Sequence, residues 1–80
     1  MNNQEIINNW DRKNHSLELL NGSKKTICHL VEQKGNRKIK TELENQHVFF
    51  DLIFQLDLKL ELPPKKVKLK SKTYVRYVYK

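Results

Sequence analysis

Cys28 and His29 form the only adjacent cysteine–histidine pair in this 80-residue chain, and they sit in a run, Thr26 to Val31, that reads as a strand. Successive side chains of a strand point to opposite faces, so the two can neither share a metal ion nor act as a thiolate–imidazole couple. His15 and His47 have no partners at ligand spacing. Asp51, Asp57 and Glu61 share one side of an alternating run, but nearby lysines make them better ion-pair partners than an acid–base pair. Two glycines are too few for a GxGxxG or P-loop phosphate cradle. The expectation is a chain with no catalytic residues, no metal site and no cofactor.

The chemistry that remains is electrostatic. Residues 1–62 carry nine basic and nine acidic residues, whereas 63–80 carry seven basic residues and no acid, so the whole formal charge of +7 lies in the last segment. There Lys66, Lys68, Lys70 and Lys72, continued by Tyr74 and Arg76, fall at every second position. On one strand such residues share a face about 6.6 Å apart, close to the phosphate spacing of a nucleic-acid strand. Tyrosine among lysines can stack on bases. A second cluster, Lys34, Arg37, Lys38 and Lys40, surrounds a turn and reads either as an extension of the patch or as an ordinary solvated turn.

Lysines along a strand also serve as a guard against edge-to-edge aggregation, so charge alone proves no partner. Two classes of function follow. The first is a small, non-enzymatic basic protein that contacts nucleic acid through the cationic face of its last strand. The second is a protein-interaction module, such as a small regulator or inhibitor of the mobile-element type. It would use an exposed C-terminal edge strand to pair with an acidic protein surface or with a second copy of itself as a homodimer.

Composition sets the frame. The length suits one domain spanning 1–80, and a single cysteine allows no internal disulfide, as in a reducing cytoplasm. No apolar stretch approaches the roughly 20 residues of a membrane-spanning helix, which argues against a membrane partner. Alanine is absent, which disfavours a helical fold.

The elements that must position the cations are expected as follows. Ile6, Ile7 and Trp10 lie on one side of a short helix within 1–14. Asn21-Gly22 between apolar runs marks a hairpin. Thr26 to Val31 is a central strand, Lys34-Gly35-Asn36-Arg37 a turn, and Ile39, Thr41 and Leu43 the buried side of a third strand. From Val48 to Leu62 apolar residues hold nearly every even position, predicting a long strand that pairs with the basic one across Pro63-Pro64. The fold class is therefore α+β, mainly β. A short N-terminal helix packs on a five-stranded antiparallel meander, curled toward a half-barrel, that ends in an amphipathic hairpin 47–62/66–80. In that hairpin Glu61, Asp57 and Asp51 would pair with lysines or Arg76 across the ladder. Phe49, Ile53 and Val78 would form a second apolar patch, covered by the N-terminal helix.

Overall fold

The computed structural model describes residues 2–61 and 63–80. In chain order the elements are α1 (Asn3–Asn8), β1 (His15–Asn21), β2 (Thr26–Lys34), β3 (Arg37–Glu42), α2 (Gln46–Leu56), β4 (Lys65–Leu69) and β5 (Lys72–Tyr79). The five strands form one antiparallel sheet, ordered β3-β2-β1-β5-β4 and curled into a half-barrel. The expected class, strand number and pairing sense hold. The simple meander does not. Strands β1 to β3 follow one another, but the chain then leaves the sheet through α2 and returns as a hairpin whose second strand docks on β1.

The main correction concerns the hairpin 47–62/66–80. Its first half is the helix α2, followed by an extended piece. Asn45 caps α2, its Oδ1 accepting the Val48 N–H at 3.0 Å. Phe49, Leu52, Ile53 and Leu56 recur at i, i+3, i+4 and i+7, the spacing of one helical face. Phe49 and Leu52 are fully buried, and Leu56 nearly so. Helical and strand periods both fit this stretch, and the helical one wins because Phe49 and Leu52 bury against the sheet. Asp57 stops the helix in the left-handed region at φ 53°. The N–H of Leu58 then reaches back to the Ile53 carbonyl at 3.0 Å, and the Leu58 side chain is buried.

Beyond the helix, residues 59–61 run beside the end of β5. Lys59 and Lys80 exchange backbone hydrogen bonds, and Leu60 bridges Tyr79. Pro63 and Pro64 follow on this outer edge, where a missing N–H is tolerated. They are therefore not the expected hairpin loop. The loop is Lys70-Ser71, with φ of 51° and 67°, the primed geometry that matches strand twist. The expected pairs of Asp51 and Asp57 with the C-terminal lysines and Arg76 consequently do not form. Asp51 accepts a hydrogen bond from Asn3, and Asp57 pairs with Lys59.

One side of the sheet packs on both helices. Leu17, Cys28 and Leu30 meet Ile6, Phe49, Leu52, Leu56 and Leu58 there, with Ile7, Trp10 and Ile53 around them. Helix α1 is shorter than 1–14, but its apolar side does cover Phe49 and Ile53 as expected. Val78 lies on the other face, because it pairs with Glu18 rather than Phe49. Strand β3 is exposed along its whole length, including Ile39 and Thr41, while Leu43 just beyond it packs on the core.

Candidate functional site

Register divides the expected lysine ladder. In the β4–β5 hairpin Lys65 faces Arg76, Val67 faces Tyr74 and Leu69 faces Lys72. These residues lie on the open face, away from the helices. Lys66 and Lys68, opposite Val75 and Thr73, lie on the helix side, and Lys70 stands in the turn. Tyr74 is 4% exposed, with its ring edge against Gly22, so it offers no surface for stacking. The secondary cluster divides likewise. Lys38 and Lys40 pair with Gln33 and Val31 on the open face, and Arg37 pairs with Lys34 on the other.

Arg76 and Lys40 are brought together at a residue that sequence reasoning passed over. Glu18 on β1 is 1% exposed on the open face. Its carboxylate accepts hydrogen bonds from Arg76 Nε at 2.5 Å and Lys40 Nζ at 3.2 Å, and lies 3.1 Å from His29 Nδ1. Burial pushes this carboxyl up. The hydrogen bonds from Arg76, Lys40 and His29 outweigh it and hold the group below the ordinary glutamate range. Four strands contribute one member each, which makes the cluster a clamp across the curled sheet. The available signal was the period of β1, which places a lone glutamate beside Leu20 on a face that is otherwise partly apolar. Cys28 and His29 do point to opposite faces: the thiol enters the core and the imidazole joins Glu18.

Outside the clamp the cations divide: Lys34, Arg37 and Lys38 stand at the β2–β3 turn, at the opposite end of the sheet from the β1–β2 and β4–β5 turns, and do not extend the C-terminal set. Lys65, Lys66, Lys68, Lys70 and Lys72 form no ion pair among the described residues. Beside them stands the β1–β2 turn with Lys24 and Lys25, likewise unpaired there. Antiparallel pairing of β1 with β5 sets the two turns side by side. Between them lies a cleft of about 400 Å³ lined by Gly22, Ser23, Lys24, Lys25, Lys72, Thr73 and Tyr74. Three ammonium groups and three hydroxyl-bearing side chains, Ser23, Thr73 and Tyr74, border this cleft, and no carboxylate does among the described residues. Lys25 also borders a neighbouring hollow that includes Glu42 and Glu44. Sequence reasoning missed Lys24 and Lys25, although residues 19–31 contain no acid and those two lysines are its only formal charges.

No protein-family model, curated protein or solved structure matches the chain. Among the described residues, no helix is long and apolar enough to cross a membrane.

Proposed function

We propose that this chain is a non-enzymatic binding protein that holds the phosphate backbone of nucleic acid at the cationic end of its sheet. The supporting observation is the acid-free cleft of Lys24, Lys25 and Lys72, flanked by the unpaired lysines of β4 and its turn. Lysine supplies point charges without the bidentate fork of arginine, so contact follows the backbone and reads little sequence. Arg76 and Lys40 belong to the Glu18 clamp, and Tyr74 is a packing residue. The contact surface is therefore an end of the sheet and its β4 edge, not one face of the last strand.

Labelled DNA and RNA oligonucleotides titrated across a salt series test this. Each phosphate neutralised should contribute about −0.7 to −0.9 to the slope of log K against log salt. Replacing Lys24, Lys25 and Lys72 together with glutamine should flatten that slope by about 2 to 3. Undetectable binding to either polymer at low salt refutes the proposal.

A second reading rests on α2, where Phe50 and Phe54 lie one turn apart and are 52% and 81% exposed. This pair would suit a protein partner or a second copy of the chain. The expected C-terminal edge is not available, because β5 lies between β1 and β4; of the two edge strands, β3 and β4, the latter is five residues long and three of them are lysine, a pattern that discourages strand pairing. Concentration-dependent mass in solution, abolished by Phe54→Ser, would favour this reading.

A further inference from the structure

On the helix side of the sheet the β1–β2 turn borders a second hollow, a groove of about 280 Å³ between α2 and strand β5. Its walls are aromatic, formed by Phe50, Tyr77 and Tyr79. Asn21, Thr26 and Gln46 add amide and hydroxyl groups at one end, where the Thr26 hydroxyl donates to Asn21 Oδ1 at 3.2 Å and leaves the Asn21 and Gln46 amide N–H groups to meet a ligand edge. Tyr79 is held edge-on against Phe49, with ring centroids 5.7 Å apart, so this wall is fixed by the core. Phe50 stays half-exposed and Tyr77 is only partly buried, so both rings keep surface open to the groove.

The chemistry of this groove is that of a nucleobase site. A base needs a flat apolar wall for its ring and amide or hydroxyl partners for its edge. The location agrees. Asn21 and Thr26 are paired residues immediately flanking the Gly22–Lys25 turn, and that turn lines the cationic cleft on the other side. A strand whose phosphates follow the turn therefore passes the mouth of the groove. Lys66, on the same side of the sheet, pairs with Val75, the neighbour of Tyr77 on that face.

We infer that the groove takes an unpaired base against Tyr77 and Phe50, so that the protein selects single-stranded over duplex nucleic acid. This rests on the backbone-binding reading above and adds to it the form of the polymer. In a duplex both faces of each base are already stacked and its edge is paired, so no base is free to enter.

Anisotropy titrations with a labelled single strand and the duplex of the same sequence test the inference. Single strand should bind more tightly than duplex. Tyr77→Ala should weaken single-strand binding about five- to hundredfold, while Tyr77→Phe keeps the ring and the affinity. Phe50→Ala, at a half-exposed position that the fold tolerates, should weaken it in the same direction, with circular dichroism confirming the fold of each variant. Equal affinity for both forms, or neutral Tyr77→Ala and Phe50→Ala variants alongside a weakened lysine triple variant, would overturn the groove and leave the backbone reading intact. Absence of binding to either form at low salt would overturn both.

Discussion

Replacing Glu18 with glutamine removes one charge and keeps the shape, which isolates the electrostatic part of the clamp. Charge-assisted hydrogen bonds contribute about 1.5–3 kcal/mol each when desolvated. The three here are not equivalent. The Lys40 side chain is 44% exposed, so its bond is largely exchanged for water. Arg76 at 32% and His29 at 17% are better shielded, and Glu18 itself is at 1%. Glutamine still accepts one hydrogen bond, so the expected loss is about 2 kcal/mol. That is a large share of the roughly 4–12 kcal/mol available to a chain of this length. It corresponds to a fall in Tm of about 8–16 °C. The sign of the pH effect follows from the direction of the shift. Glu18 is held below its unfolded value of about 4.5, so its contribution is present above that pH and is lost as pH falls through the folded value. Asp11 and Asp57 are also held low, by Asn14 and Lys59 respectively. The wild-type acid curve therefore does not isolate Glu18, but the difference between wild type and Glu18→Gln does. Thermal melts followed by circular dichroism should show a gap that is constant near neutrality and closes below about pH 4.5. An equal Tm at neutral pH, or a gap that widens on acidification, would refute the clamp.

Three further outcomes follow from local geometry. Asp57 occupies the left-handed region at the C-terminal end of α2, where a carboxylate also opposes the helix dipole, so Asp57→Gly should raise stability by about 0.5–1 kcal/mol in chemical denaturation. Ser71, at φ 67° in the β4–β5 turn, should respond similarly to Ser71→Gly, with a gain of about 0.5 kcal/mol. Cys28 is buried, and burial, with Glu42 adding to it, pushes its thiol above the ordinary range. Under native conditions it should react with a thiol reagent only as fast as the protein opens, and at full rate in denaturant.

What could be read from the sequence followed the strength of local signals. Asn21-Gly22 and Lys34-Gly35-Asn36-Arg37 located their turns, and the apolar residues on both faces of Thr26 to Val31 identified a central strand. Residues 48–62 misled because their apolar positions satisfy two periods at once. Only the packing of Phe49 and Leu52 on the sheet decides between them, and that contact is remote in sequence. Asn45, a residue type that favours an N-cap, is a local hint of the helix but does not decide it. Lys70-Ser71 carries no turn signature whereas Pro63-Pro64 does, and moving the loop from the prolines to 70–71 takes Lys66, Lys68 and Lys70 off the face that Lys72, Tyr74 and Arg76 share. The clamp and the cleft were hidden for another reason. The cleft, and the Arg76 arm of the clamp, join strands whose adjacency depends on β5 docking beside β1, and nothing in a single sequence states that order.

The charge excess therefore has to be divided before it is assigned a purpose. Arg76 and Lys72 lie on the same face of β5, four residues apart, and either one changed to glutamine alters the net charge equally. A reading based on charge alone predicts the same effect from both. The structure separates them. Arg76 spends its guanidinium on the buried Glu18, so Arg76→Gln should lower stability by about 1–3 kcal/mol while leaving the salt slope of oligonucleotide binding nearly unchanged. Lys72 has no ion-pair partner among the described residues and borders the cleft. Lys72→Gln should leave the unfolding free energy within about 0.5 kcal/mol of wild type and flatten the slope by about one phosphate. If both variants weaken binding to the same extent and neither unfolds more readily, the cations act as a diffuse field and the division between clamp and cleft is wrong.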